Sequence, residues 1–208
     1  MILESIVTTT NKIGDVNVAP MGPWMSRPEA LDRPDGDPGF QLRPFKGSQS
    51  CANLLAVRRA VIHVTDDVML FAQSALASLD NGADLVDPLD VPDLSVLKDC
   101  HRWFAVEVTN VREDGPRYLL ECRVIRSGLK RPFFGFNRAK HAVIEAAILA
   151  TRIHLIDEAE VVQQLDWLSP WVKKTGGERE RAAFELVVRT ISQRLGRAVA
   201  RPVGGRVD

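Results

Sequence analysis

Near residue 136 the hydrophobic period of the chain changes from two to about 3.6. Before that point Phe104, Val106 and Val108 alternate with Ala105, Glu107 and Thr109. Leu120, Cys122 and Val124 likewise alternate with Glu121 and Arg123, across an Asp114-Gly115-Pro116 turn. Alternation of this kind makes a hairpin with one buried and one wetter face. After it, Ala142, Val143, Ala146, Ala147, Leu149, Ala150 and Ile153 recur on one side of a helix that Asn137 is suited to cap. Strands first and helices last predict an α+β fold with a C-terminal helical subdomain.

The N-terminal half carries further strand signals. Ile2 to about Ala19 reads as two strands joined by a turn over 11–15. The second opens at Asn17-Val18-Ala19-Pro20-Met21-Gly22, because Pro20 has no N–H to donate and so belongs on a sheet edge. Residues 22–39, with Pro23, Pro28, Pro34, Pro38, Gly36 and Gly39, form a long surface excursion anchored by Trp24, Met25 and Leu31. A short strand is expected over 40–45, a polar loop over 46–50, a strand over 53–65 and a helix starting near Asp66. C-terminal helices are expected from Asn137 to about His154, from Glu158 to before Pro170, and from Glu178 to Leu195, closing at Gly196. These readings divide the chain into a core over 1–136, a helical cap over 137–200 and a flexible tail over 201–208.

Charge excludes little. The 208 residues carry 27 Lys plus Arg against 27 Asp plus Glu, so no global field favours nucleic acid or an anionic membrane. Cys51, Cys100 and Cys122 are an odd set without CxxC spacing, which points to a reducing cytoplasm rather than a disulfide or zinc framework. The start, MILESIVTTT, has no basic region before an apolar stretch, and no apolar run is long enough to cross a bilayer, so a soluble, unprocessed protein is expected.

Catalytic signatures are absent: there is no glycine-rich nucleotide fingerprint, HExxH or GxSxG, and His63, His101, His141 and His154 show no metal-ligand spacing. Two weaker patterns remain. His141, Glu145, Ile148 and Arg152 fall on one ridge of the first C-terminal helix, either a solvated face or a recognition surface for an anion or a substrate's polar edge. Lys46-Gly47-Ser48-Gln49-Ser50, followed by Asn53, offers small residues, hydroxyls and a cation suited to a phosphate.

Four segments together resemble the domain of unknown function 447 (DUF447) family, within the flavin reductase-like, FMN-binding split-barrel superfamily. They are Glu4 to Thr9 with Asn17 to Gly22; Ser50-Cys51-Ala52-Asn53-Leu54; Val64-Thr65-Asp66-Asp67 with Leu70-Phe71; and Asn137-Arg138-Ala139 with Ile144-Glu145-Ala146 and Ala150-Thr151-Arg152. The resemblance implies a six-stranded antiparallel split β-barrel that dimerises with itself and holds FMN near the subunit interface. It implies that Thr8, Thr9, Asn17 and Ala19 line the flavin and that Lys46, Ser48, Ser50 and Asn53 hold its phosphate. Serine at 50 stands where similar proteins carry threonine and keeps the hydroxyl. Glu145 and Arg152 would recognise a small-molecule substrate, with His141 as a proton donor. A flavin carries the redox chemistry itself, so a flavin-dependent oxidoreductase needs no protein nucleophile. For the family, a link to pterin-dependent one-carbon metabolism is implied by association. The alternatives are a flavin-binding or storage module without catalysis, and a structural split-barrel dimer without ligand.

Overall fold

The structure is a computed structural model that describes residues 1–33, 36–77, 79, 81–133, 135–196 and 199. The tail expected over 201–208 lies outside the described residues. The chain divides into two units, one of residues 1–65 and 80–133, the other of 66–79 and 134–208.

Among the described residues the first unit is built on seven strands, one more than the six expected because the two-residue β3 adds to the edge beyond β4: β1 (Ser5–Thr10), β2 (Val16–Met21), β3 (Trp24–Met25), β4 (Phe40–Leu42), β5 (Arg59–Val64), β8 (Arg102–Asp114) and β9 (Arg117–Leu129). Two further strands, β6 (Val86–Pro88) and β7 (Ser95–Leu97), form a separate small hairpin. The large sheet is antiparallel throughout, in the order β2-β1-β5-β8-β9-β4-β3. Its two edge strands follow each other in the chain, and an Ile2–Trp24 bridge sets the approach to β1 against β3, so the sheet curls back on itself. Register shifts in the β8–β9 ladder near Ala105 and Val108 sharpen the bend. Pro20 sits on edge strand β2, where its missing N–H costs no inner ladder bond.

Helix α1 (Gln49–Val57) packs its buried Leu54 into the barrel core with Val7, Met25, Phe40, Leu42, Ile62, Phe104 and Leu120. Here the sequence reading is corrected: residues 53–57 are helical and only 59–64 are strand. The β-branched residues that suggested a longer strand sit mostly after the break at Arg58, whose φ of 61° ends the helix in the left-handed region. Ser48 starts it, its hydroxyl accepting from the Cys51 N–H at 3.2 Å.

The excursion after β2 is tied down. Its described residues include a 3₁₀ turn (Pro28–Asp32), and the Arg102 guanidinium on β8 donates to the carbonyls of Leu31 and Arg33 while lying 4.6 Å from the Phe104 ring centroid.

The second unit joins α2 (Val68–Ala75) to α3 (Arg138–Arg152), α4 (Glu158–Thr175) and α5 (Glu178–Leu195) around Ala142, Val143, Ala146, Leu165, Phe184, Val187 and Ile191. Lys140 on α3 pairs with Asp66 just before α2 and, at 3.8 Å, with Glu180 on α5. A second correction concerns α4, which continues through Pro170 instead of ending before it. Pro170 and Asp166, whose carbonyl loses its i+4 donor to the ring, are both exposed, while Val161, Leu165, Leu168 and Val172 bind the two halves of the helix to the same core.

Candidate functional site

Side chains in a strand alternate between faces, and cross-strand partners share a face. Thr9 lies opposite Asn17 and Val7 opposite Ala19, so these four share the face that α1 covers. Asn17 Nδ2 donates to Ser50 Oγ at 3.0 Å and to Thr9 Oγ1 at 3.5 Å. Asn53 Nδ2 donates to Thr9 Oγ1 at 3.1 Å and its Oδ1 accepts from Gln49 Nε2 at 2.8 Å. Thr9, Ser50 and Asn53 are buried, Asn17 and Ala19 half-buried and Gln49 exposed. A polar network thus joins edge strand β2, β1 and the first turns of α1.

Both hydroxyls in this network act as acceptors. Two amides fill the lone pairs of Thr9 Oγ1, and Asn17 fills one on Ser50. Among the described residues no acceptor takes the proton of either hydroxyl, nor the backbone N–H groups of Gln49 and Ser50 that open α1. The cluster therefore holds several donors that still lack an acceptor, which suits an anion or a carbonyl-rich ligand.

Three other expected residues do not join it. Thr8 shares the opposite face with Val18; its hydroxyl donates to the Ser95 carbonyl at 2.6 Å and fastens the β6–β7 hairpin to β1. On that same side Gly82 packs so closely that a Cβ there would stand 3.1 Å from Val18 Cγ2. Ser48 is the cap of α1 and also donates to the Phe45 carbonyl at 2.8 Å. Lys46 Nζ lies 2.6 Å from Glu113 Oε2 and 5.1 Å from the Tyr118 ring centroid, and the hydrogen bond to Glu113 holds its pKa above the ordinary value.

His63 is a structural residue on the opposite face of the sheet, the one that carries Thr8. Its Nδ1 stands 3.0 Å from the Ile6 carbonyl and its Nε2 accepts from the Leu97 N–H at 3.1 Å, which requires the neutral ring with the proton on Nδ1. Burial, the main cause, pushes its pKa down to about 3.

In the helical unit, His141, Glu145 and Arg152 are all exposed on α3, and the His141 ring lies 5.9 Å from that of Phe136. Among the described residues the side chains of Glu145 and Arg152 form no hydrogen bond or ion pair. Sequence reasoning missed Gln49, because its i, i+4 relation to Asn53 exists only once 49–57 is a helix. The signal that could have found it was Ser48 at capping distance ahead of Cys51 and Leu54.

Comparison with known proteins covers both units. The model of the protein of unknown function (DUF447) N-terminal domain matches residues 3–131, and that of its C-terminal companion matches 137–189. Among solved structures, an FMN-bound DUF447 protein from Methanosarcina mazei is similar over 91% of this chain and 94% of its own, with 25% identity and a TM-score of 0.77. Flavin reductase HpaC, complexed with NADP+, is similar in fold over 64% of this chain and 83% of its own, with 16% identity and a TM-score of 0.52. The curled seven-stranded sheet is a flavin reductase-like split barrel.

Proposed function

The chain belongs to the DUF447 family, and from that premise we propose that it is an FMN-binding flavoprotein, a flavin-dependent oxidoreductase that acts on a small molecule as a homodimer. The observation that carries the reading is the donor set at the start of α1: the buried hydroxyls of Thr9 and Ser50 and the N–H groups of Gln49 and Ser50, which find no acceptor among the described residues. They fit an FMN phosphate, whose oxygens only accept at neutral pH. The similar Methanosarcina mazei protein holds FMN.

On this reading Ser50 and the first turn of α1 bind the phosphate, Asn53 and Asn17 orient the two hydroxyls, and Asn17 to Gly22 offers edge-strand backbone to the ring. Lys46 is engaged with Glu113, so on this reading the phosphate is held mainly by the neutral donors. Bound flavin supplies hydride and electron transfer, and the protein supplies binding, orientation and exclusion of water. The exposed His141, Glu145 and Arg152 belong to the proposal as substrate-recognising residues, and the link to pterin-dependent one-carbon metabolism rests on family association alone. Exposed Met1, Ile2 and Trp24, grouped where Ile2 bridges to Trp24, support self-association.

Purified protein is expected to be yellow and to release FMN, not FAD or riboflavin, on denaturation. Protein that is colourless and takes up no added FMN refutes the proposal. Anaerobic bleaching by NADH or NADPH supports the oxidoreductase; retention of FMN that no reductant bleaches supports the storage module instead. Light scattering at the mass of a dimer tests the self-association.

A further inference from the structure

The donor polarity of the cluster originates outside it. Thr9 can offer its proton to a ligand only while Asn53 presents its NH2, and not its carbonyl, to Thr9 Oγ1. An amide can turn over to exchange these two groups. What holds Asn53 is Gln49, one helical turn earlier, whose Nε2 donates to Asn53 Oδ1 at 2.8 Å. The contact runs in one direction: Gln49 gives to Asn53, Asn53 gives to Thr9, and the Thr9 hydroxyl has only its own proton left to give. A parallel branch runs from Asn17 to Ser50.

We infer that Gln49 is a positioning residue for ligand phosphate: by fixing the Asn53 amide it keeps Thr9 a donor, and so makes the cluster select a phosphate ester over the corresponding free alcohol. This rests on the FMN reading above. A phosphate at neutral pH offers only acceptors, whereas the terminal hydroxyl of riboflavin brings a proton of its own and gains less from a site made of donors. Gln49 is exposed, and replacing it leaves the barrel core untouched.

Three forms, Gln49→Met, Thr9→Val and the double variant, are titrated with FMN and with riboflavin by quenching of flavin fluorescence. Gln49→Met is expected to weaken FMN about tenfold, the worth of one hydrogen bond to a charged group, and riboflavin by less than half of that on a logarithmic scale. In the Thr9→Val background the same change is expected to alter the FMN-to-riboflavin ratio little, because the donor that Gln49 controls is gone. Equal loss for both flavins, or additive effects in the double variant, would mean that Gln49 only stabilises the helix and would overturn the inference. A second readout needs no flavin: in ligand-free protein the Asn53 side-chain NH2 should be slow to exchange and shift by NMR on Gln49→Met. An Asn53 amide that ignores Gln49 refutes the positioning role even if FMN binds. A wild-type protein that binds no FMN refutes the proposed function, and the NMR result then still judges the Gln49–Asn53–Thr9 chain.

Discussion

Acid should unfold this barrel through His63, and the size of the effect follows from its surroundings. The ring is buried between β1, β5 and β7, gives its Nδ1 proton to Ile6 and receives the Leu97 N–H on Nε2. A second proton would have to displace the Leu97 bond in a fully buried site. With a pKa of about 3 folded against 6.5 in the open chain, the unfolded state binds the proton first, so stability is complete above pH 6.5 and is lost as pH falls toward 3. The whole gap is worth about 5 kcal/mol. Between pH 7.5 and 5 the single-site linkage removes about 2 kcal/mol of it. Urea unfolding of the wild type and of His63→Gln at both pH values separates this group from all others, because the remaining titrations are common to both proteins. The variant is expected to be less stable at pH 7.5, with the difference shrinking by about 2 kcal/mol at pH 5. A difference between the two proteins that is independent of pH would refute the neutral, buried assignment.

Three further outcomes follow from the same geometry. Ser50→Ala should weaken FMN about tenfold, as loss of one hydrogen bond to a charged group, whereas Lys46→Met should change it little because the ammonium is already held by Glu113; equilibrium dialysis compares the two. Arg102→Met removes both donors that hold Leu31 and Arg33, and limited proteolysis should then cut within 26–39 faster than in the wild type. Gly128→Ala would place a methyl 2.7 Å from the Trp103 indole, across the β8–β9 ladder, and should cost about 1–3 kcal/mol in denaturant unfolding.

Much of the fold was legible because its signals are local. The 104–126 alternation, the Asn137 cap and the period of 142–153 each require only neighbours in sequence, and each stands in the structure as read. Local signals failed where tertiary packing outvoted them. Residues 53–57 are helical because Leu54 fills the barrel core, a reward invisible from the residues around it. Pro170 stays within α4 because apolar residues on both sides of it share one core. Residues 66–75 read as a helix in the N-terminal half, yet α2 belongs to the same unit as the C-terminal helices.

The sequence by itself determined the strand and helix periods, the Pro20 edge and the residue types of the candidate site, because these depend on backbone preference and side-chain chemistry alone. Only the tertiary structure decided which of those residues meet. Thr8 and Thr9 are adjacent in the chain, yet the pleat sends one to Ser95 and the other to Asn53 and Asn17. Asn17, Ser50 and Asn53 are distant in the chain, and the docking of α1 on the β1–β2 face makes them one hydrogen-bonded group. The direction of the hydrogen bonds in that group depends on which way each amide is held, and the neighbours that hold it meet only in the folded protein.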